Sequence, residues 1–386
     1  MLDFLSILRP EVSMKRFMVS LFLYVWFPVC AVCTTFPEMQ APADTGMESE
    51  TVHGEGMPVS SGDVHHVLMT KEKNRQSLSE KQRKMMNTEK TGIAIIAPGG
   101  HVADADLRRA VDILKSRGYE VFNYVDPQKR YQRFAASDEE RIRQIIEAAS
   151  NPDVQIVMAL RGGYGTTRLL SGLDFAMLAK SGKLFVGHSD FTVFEMALLK
   201  HGAVSFSGPM IQSDFTRQDL SDYTISHFEE TLNSPETTVE WFSKDNPDVD
   251  VDGTLWGGNL TMLAHLAGTP WMPDISGGIL FVEDIHEHPY RVERMLLQLD
   301  EAGVLRKQKA LVLGHFSEFK LSDYDNGYDF EAMLAWLRSR LPIPVLTGLP
   351  FGHTKDKVTL PVGARAHLMS SGGMVQLHVG DYPTVR

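Results

Sequence analysis

The stretch “TGIAIIAPGGHVADADLRRAVDILKSRG”, residues 91–118, holds one complete strand-turn-helix unit. It opens with an apolar run closed by a Pro-Gly turn, which predicts a buried strand. Asp104–Ser116 follows as a predicted helix, and Gly118 takes the position where a glycine commonly ends a helix. Apolar residues recur on one face of this helix: Leu107, Ala110, Val111 and Leu114. The stretch therefore predicts a βα unit with a buried strand.

The same alternation continues along the next part of the chain. Three further strands are predicted: “YEVFNYV” (119–125), “VQIVMALRGGYG” (154–165) and “KLFVG” (183–187). Ser137 and Glu140 predict a capping box for a helix through Ala149, and Thr166–Ala179 has helical spacing. Such alternation predicts right-handed βαβ units and a parallel sheet covered on both faces. Ligands bind these sheets beyond the carboxyl ends of the strands, where “RGGYG” and “GHSD” stand.

The rest of the chain predicts a second domain. Residues 216–250 are rich in acidic and polar side chains, and we expect a linker there, between an α/β domain at 91–215 and a C-terminal domain at 251–386. The C-terminal part mixes the strands “GGILFVED” and “KALVLGHF” with the helix “YRVERMLLQLDEAG”. It predicts an α+β or small barrel-like domain, so a cleft between domains is the expected ligand site.

The first ninety residues differ in composition from the rest. Lys15 and Arg16 precede the apolar run 17–32, which has the pattern of a secretory signal if Met14 is the start. A bilayer-spanning helix needs about 20 apolar residues, so this run is short for one. Residues 37–66 are rich in Pro, Gly, Ser and acids, and are predicted to be disordered.

A second interpretation of this region is an extended gene model whose natural start is Met85 or Met86. Residues 1–90 are therefore predicted to be a signal-like or disordered extension. Two locations stay open: the protein is cytoplasmic if the start is internal, and exported if the run 17–32 is a true signal.

Composition excludes several classes of function. A net charge of -11 disfavours nucleic-acid and anionic-membrane partners, which are bound mainly by clustered Lys and Arg, but allows an anionic small substrate where a few Arg converge. Cys30 and Cys33 are the only cysteines in the sequence. If the catalytic body lies after them, it has no Cys nucleophile, disulfide or Cys-ligated zinc, so a nucleophile there is Ser, Thr, Lys or a carboxylate.

Ser189, in “GHSD”, has two interpretations. A strand, a glycine, x-Ser-x and then a helix is the layout of a nucleophile elbow, although Phe191 replaces the last glycine of that motif. The alternative is an ordinary helix start, in which Ser189 or Asp190 is the cap and Thr192 with Glu195 forms a capping box. The local pattern leaves both open.

The loop “RGGYG”, 161–165, ends the preceding predicted strand. Its glycines allow the backbone to approach a ligand and to point N–H groups into a concavity. A phosphate cradle is a weaker interpretation because neither G-K-[ST] nor G-x-G-x-x-G is present. A plain tight turn also stays open.

Two carboxylates, Glu283 and Asp284, stand at the end of the buried strand in “ILFVEDIHEHPYRVERML”, where they require partners. The following His286, Glu287 and His288 suggest a metal site. Their spacing is not H-E-x-x-H, so we expect no metal there.

Basic residues provide the remaining candidates. Arg291 and Arg294 lie three positions apart on the next predicted helix, where they form a solvated face or pair with carboxylates or substrate. His353 lies in the Gly-Pro-rich loop “GLPFGHTKDK”, where a scaffold can hold a functional residue. Three other histidines compete with it: His188, His265 and His315.

Several of these motifs together resemble the LD-carboxypeptidases, serine peptidases that act on muramoyl tetrapeptides. The motifs are “RGGYGTTRLL”, “GHSDFT”, “GTLWGGNL”, “EDIHEHPYRVERMLLQL” and “GLPFGH”, in that order. The resemblance runs from about residue 92 to the end, leaves the N-terminal extension unmatched, and is specific because independent motifs at long spacings rarely coincide. It implies a flavodoxin- or amidotransferase-like α/β domain, a C-terminal swivelling-type domain and a homodimer.

The resemblance also implies a Ser-His-Glu triad. The family nucleophile falls on Ser189, its acid on Glu283 and its base on His353, and the oxyanion hole is expected near the backbone N–H groups of Gly163 and Asp190. This agrees with the chemistry, since a serine needs a base, and the base needs a carboxylate that fixes its tautomer.

The implied reaction is hydrolysis of the bond between meso-diaminopimelate and a terminal D-alanine of murein tetrapeptides, in the cytoplasm and without a cofactor or metal. The free carboxylate of such an anionic peptide requires a cation, for which Arg161, Arg291 and Arg294 are candidates. Two rivals stay open: a microcin-C immunity-like peptidase that cleaves an acyl-nucleotide conjugate, and a non-catalytic peptide- or nucleotide-binding module.

Overall fold

The computed structural model describes residues 90–385. The signal-like run 17–32, the acidic stretch 37–66 and the alternative start at Met85 or Met86 lie outside the described residues. Within 90–385, none of the helices combines the length and apolar composition needed to cross a bilayer.

The strands, in chain order, are β1 (Gly92–Ile96), β2 (Glu120–Asn123), β3 (Ile156–Ala159), β4 (Leu184–Gly187), β5 (Ser205–Ser207), β6 (Glu236–Phe242), β7 (Val249–Asn259), β8 (Ile279–Ile285), β9 (Ala310–Ser317), β10 (Val345–Thr347), β11 (Leu360–Val362), β12 (Arg365–Ser371) and β13 (Met374–Gly380). The α-helices are α1 (Asp104–Ser116), α2 (Asp138–Ser150), α3 (Phe175–Lys180), α4 (Thr192–Lys200), α5 (Ile211–Asp214), α6 (Asp222–Asn233), α7 (Leu260–Leu266), α8 (Pro289–Glu301) and α9 (Phe330–Arg340).

The N-terminal sheet is the predicted parallel sheet. Its strand order is β11-β5-β4-β3-β1-β2, and all neighbours are parallel except β11, which is antiparallel to β5. All residues of β1, β3 and β4 are buried, as expected of strands covered on both faces. The predicted α/β fold class of this region is confirmed.

The first helix has the predicted bounds. Leu107, Ala110 and Leu114 are buried under α1, whereas Val111 is only partly buried. Gly118 ends the helix with a φ of 96°, a left-handed conformation that glycine adopts without a Cβ penalty. Ser137 accepts a hydrogen bond from the backbone N–H of Glu140 at the start of α2, which is one half of the predicted capping box. The carboxylate of Glu140 accepts from Lys129 and Arg143 instead of completing the box.

Two predictions of local structure were wrong. The predicted helix over 166–179 is a 3₁₀ helix, Thr166–Gly172, followed by the separate helix α3, because Asp174 caps α3 through the N–H of Met177. The predicted linker, 216–250, contains α6 and β6. Helix α6 is stabilised by a buried apolar stripe and by the Ser221 cap, which the polar composition of the stretch concealed; the stripe is Ile225, Phe228 and Leu232.

The C-terminal sheet has seven strands in the order β10-β9-β8-β7-β12-β13-β6. The four strands from β10 to β7 are parallel, and the remaining pairs are antiparallel. The predicted α+β class of the C-terminal region is confirmed. Between β10 and β12 of this sheet, the chain crosses as β11 to the edge of the N-terminal sheet, pairing Leu360 with Ser207. This crossing brings the loop before β11 against the carboxyl ends of the N-terminal strands.

Candidate active site

Ser189 stands at the tight turn after β4. It has a φ of 61°, a left-handed conformation that costs a non-glycine residue about 1–3 kcal/mol. Such strain is a feature of a nucleophile elbow, because it directs the hydroxyl away from the strand end. The elbow forms without its last glycine, since the ring of Phe191 lies on Gly187, where a Cβ would approach it to 2.5 Å.

The helix-cap interpretation of this turn is wrong. Helix α4 begins after Phe191 and has no side-chain cap. The hydroxyl of Thr192 accepts instead from the N–H of Asn259, at 3.0 Å, and Glu195 accepts from Ser207 at 2.8 Å. Both polar side chains of the expected capping box therefore bind neighbouring elements, not the start of α4.

The glycine loop after β3 lies directly on Ser189. A Cβ on Gly162 would lie 2.6 Å from Cβ and 2.9 Å from Oγ of Ser189, so only glycine allows this approach. Gly163 has a φ of 82°, again a conformation suited to glycine. The loop is therefore more than a plain turn, because its backbone forms one wall of the site beside Ser189.

His353 joins the two halves of the site. Its Nε2 lies 3.0 Å from Oγ of Ser189, and its Nδ1 lies 2.7 Å from Oε2 of Glu283. The three side chains come from the turn after β4, from β8 and from the loop before β11. They form the continuous hydrogen-bonded chain that a Ser-His-carboxylate triad requires.

Contacts with the stretch before and inside α6 hold the His353 loop. The hydroxyl of Ser221 donates to Asp356 at 2.5 Å, and the hydroxyl of Thr224 donates to the carbonyl of Lys355 at 2.9 Å. The region predicted to be a linker is thus part of the support of the site.

Glu283 is fully buried and lies opposite a β-bulge. Val282 pairs with Leu313 and Asp284 pairs with Phe316, so Glu283 alone faces two residues of β9. Bulges are common next to active sites, where they change the direction of side chains. Asn259 donates to the second oxygen of Glu283 at 3.3 Å and to Asp284 at 2.9 Å. Both carboxylates therefore have the partners that buried acids require.

The pKa values of His353 and His188 are shifted in opposite directions by their surroundings. Burial lowers the pKa of His353, but the hydrogen bond and charge of Glu283 outweigh it, so the pKa of His353 is raised above its usual value. Burial, with the charge of Lys357, holds the pKa of His188 well below its usual value. His188 is therefore neutral, and its Nδ1 donates to the carbonyl of Gly208 at 2.7 Å.

Asp190 follows the serine and is largely buried. Burial raises the pKa of its carboxyl, and the nearby backbone N–H groups of Gly163 and of Asp190 itself oppose the rise. The N–H of Asp190 lies close to Gly162, at 3.3 Å from the position of a Cβ there. Of the two residues expected at the oxyanion hole, Asp190 follows Ser189 in the chain and Gly163 lines the same cleft as Ser189.

A cleft of about 270 Å³ opens in front of Ser189 and His353. Four cationic side chains line it: Arg161, Arg217, Lys355 and Lys357. In the part of the chain that the structure describes, no Asp or Glu lines it. The cleft is therefore suited to an anionic ligand despite the negative charge of the whole chain.

Of the three predicted substrate-binding arginines, only Arg161 lines the cleft. Arg291 and Arg294 are exposed on α8, and Arg291 lies 3.5 Å from Glu287 one turn away. The prediction for these two is corrected, because both side chains are exposed on α8 and neither lines the cleft. Sequence reasoning missed other cations of the cleft: Arg217, Lys355 and Lys357. Arg217 lies in the supposed linker, whereas the two lysines stand in the same loop motif as His353.

The remaining candidates lie elsewhere or have other partners. His265 is exposed on α7, and His315 is exposed on β9, with its Cβ close to Gly352. His286 lies 3.4 Å from Glu318, and His288 lies 3.1 Å from Asp325, so the two histidines face different acids. Among residues 90–385, no three His, Cys, Asp or Glu side chains are grouped as metal ligands would be.

Comparison with known proteins gives the family of this arrangement. The family model described as the LD-carboxypeptidase N-terminal domain matches residues 93–208, and the one described as the C-terminal domain matches 252–368. The murein tetrapeptide carboxypeptidase of Pseudomonas aeruginosa is 30% identical, over 72% of this chain and 92% of its own.

Solved structures give the same picture. The crystal structure of muramoyltetrapeptide carboxypeptidase from Oxalobacter formigenes is 83% identical, with a TM-score of 0.75, over 76% of this chain and 100% of that one. The structure of MccF in complex with glutamyl sulfamoyl guanosine is 24% identical, with a TM-score of 0.69, over 77% and 98% of the two chains. At that identity, the second likeness concerns the fold alone.

Proposed function

The chain belongs to the LD-carboxypeptidase family, and from this premise we propose that it is a serine carboxypeptidase that releases the terminal D-alanine of murein tetrapeptides. The observation that carries the proposal is the hydrogen-bonded chain from Ser189 through His353 to Glu283, which opens into a cationic cleft. The 83% identity to the Oxalobacter formigenes enzyme supports the same substrate class.

In the proposed reaction, Oγ of Ser189 attacks the carbonyl carbon that links meso-diaminopimelate to D-alanine. Nε2 of His353 takes the serine proton, and Glu283 stabilises the imidazolium through Nδ1. The carbonyl oxygen becomes an oxyanion, for which the backbone N–H groups of Gly163 and Asp190 are the proposed donors. His353 then protonates the leaving amine of D-alanine, which leaves the tripeptide as an ester on Ser189.

A water molecule completes the cycle. His353, neutral again, removes a proton from the water as it attacks the ester carbonyl. The second tetrahedral intermediate uses the same oxyanion donors, and its collapse returns the proton to Oγ of Ser189. The products are a murein tripeptide and free D-alanine.

The proposal is tested by incubating the purified protein with murein tetrapeptide and measuring D-alanine release. Two other substrates are assayed in parallel: glutamyl sulfamoyl guanosine, and a tetrapeptide that ends in L-alanine. We expect turnover of the D-alanine peptide and at least tenfold lower kcat/KM for the other two, since a pocket built for one set of polar groups leaves them unpaired with another. Preferred cleavage of the sulfamoyl conjugate would support the microcin-immunity alternative instead.

The acid limb of the pH profile is expected above the usual histidine pKa of about 6.5. His353 must be unprotonated to act as the base, and its pKa is raised by Glu283 against the effect of burial. The value of kcat/KM should therefore fall as the pH drops through that raised pKa. A limb with its midpoint below the usual value would show that Glu283 does not control His353 in the working enzyme.

The proposal includes a cytoplasmic location and a homodimer, both of which rest on the family resemblance. Fractionation of the source cells and sedimentation velocity of the purified protein test them separately. D-alanine release measured in each fraction links the location to the activity. Activity confined to an extracytoplasmic fraction would contradict the location, and a monomer at the assay concentration would contradict the assembly.

A further inference from the structure

Arg161 differs from the other cations of the cleft in having no acidic partner among residues 90–385. Lys357 is paired with Asp214, and both side chains are almost fully buried. Lys355 lies 2.8 Å and Arg217 3.6 Å from the same Asp219. Within residues 90–385, no carboxylate lies within ion-pair distance of Arg161, so its charge is the one in the cleft that the described protein leaves uncompensated.

The donors of Arg161 are also incompletely used. Nη1 donates to the carbonyl of His101 at 3.3 Å, whereas Nε is buried and has no acceptor among the described residues. Nε and Nη2 form the side-on fork of a guanidinium, the geometry that binds both oxygens of one carboxylate. A buried N–H without an acceptor costs free energy, which a bound carboxylate would recover.

The guanidinium of Arg161 lines the same cleft as Ser189 and packs against backbone glycines. It packs against Gly163, where a Cβ would lie 3.5 Å from Nη2, and against Gly100, where a Cβ would lie 3.6 Å from Nε. The next residue in the chain, Gly162, is in contact with Ser189. In the substrate, the carboxylate carbon of D-alanine lies within about 4 Å of the scissile carbonyl carbon. The two groups that the enzyme must bind are thus close together, as Arg161 and Ser189 are.

We infer that Arg161 is the specificity-determining residue that binds the free C-terminal carboxylate of the substrate, through the fork formed by Nε and Nη2. The inference rests on the proposed function and adds to it the reason why the enzyme removes a terminal residue. An internal peptide bond has no carboxylate at this position, so it leaves the guanidinium unpaired and the scissile bond poorly oriented over Ser189.

The test compares two substrates that differ only in this group: murein tetrapeptide ending in D-alanine, and the same peptide ending in D-alaninamide. The ratio of kcat/KM for the acid to kcat/KM for the amide is measured in the native protein and in Arg161→Met. We expect the native ratio to favour the acid, and Arg161→Met to lower the ratio by about 10². Binding of the rest of the peptide is common to both substrates and cancels in the ratio.

Arg217→Met is the matched control, because it removes the same charge from the same cleft at a residue that already has an acidic partner. It should lower kcat/KM for both substrates alike and keep the native ratio. Arg161→Lys keeps the charge without the fork, so its ratio should fall between those of the native protein and Arg161→Met.

Four results would contradict the role of Arg161 or the proposed function. If Arg161→Met keeps the native ratio, or if Arg217→Met lowers it equally, the inference is overturned. If Arg161→Met does not fold, as judged by its thermal midpoint, Arg161→Lys decides, and an unchanged ratio in that variant counts against the inference. If the native protein releases neither D-alanine nor D-alaninamide, the proposed function is overturned. This result differs from one that contradicts the inference alone, in which the native protein is active.

Discussion

Ser189→Ala is expected to lower kcat for D-alanine release by about 10⁶, the loss found when the serine of a serine peptidase triad is removed. The physical reason is that alanine has no oxygen to attack the carbonyl, and His353 has no proton to take from it. Residual hydrolysis would come from the oxyanion donors and from binding alone. The measurement is single-turnover release of D-alanine, with enzyme in excess over tetrapeptide.

The fold should survive this change. Ser189 is in a left-handed conformation, which alanine adopts with a cost similar to that of serine, so the thermal midpoint should move little. Ser116→Ala is a suitable control, because among the described residues this exposed serine on α1 donates only to the carbonyl of Ile113. If Ser189→Ala releases D-alanine at the rate of the control, the enzyme uses another nucleophile and the proposed triad is wrong.

Glu283→Gln is expected to lower kcat by about 10⁴, the effect known for the corresponding amide substitution in a serine peptidase triad. A glutamine amide can donate to Nδ1 of His353 and thereby favour the tautomer that cannot accept the serine proton. It also leaves the imidazolium of the transition state without a counter-charge in a buried site. Steady-state kinetics at several pH values provides the measurement.

The pH profile separates this role from a purely structural one. Glu283 raises the pKa of His353 and burial lowers it, so removal of the carboxylate leaves burial as the main influence. The acid limb of the remaining activity should therefore move to lower pH. Glu301→Gln, an exposed change at the end of α8, should keep the native limb and rate. A limb that stays in place in Glu283→Gln, despite lost activity, would mean that Glu283 supports the fold and does not tune the base.

Local patterns were sufficient for β1–β4 of the N-terminal sheet, but they did not predict β5 or the return of β11 to this sheet. The bounds of α1 follow from an apolar stripe at helical spacing and from Gly118, both of which act within a few residues. The same kind of signal was present in α6, where Ile225, Phe228 and Leu232 share one face, but polar composition concealed it. Spacing was therefore the better guide to secondary structure than composition.

The turn at Ser189 shows where local reasoning ends. A strand, a glycine and a serine before a helix were compatible with both an elbow and a cap. Thr192 and Glu195, the side chains expected to cap the helix, bind Asn259 and Ser207 instead. Packing of α4 against neighbouring strands determines these partners. No window of sequence around the turn contains those partners.

Residue types, order and resemblance were enough to propose an α/β fold, a cysteine-free catalytic body and the candidates Ser189, Glu283 and His353. Their proximity required the folded chain, because Ser189 and His353 are 164 positions apart and His353 and Glu283 are 70 apart. The bulge opposite Glu283 and the return of β11 to the first sheet bring them together. The three candidate arginines look equivalent in the sequence. Only the tertiary structure distinguishes them, because packing determines which side chains face the cleft, as Arg161 does, and which are exposed on a helix, as Arg291 and Arg294 are.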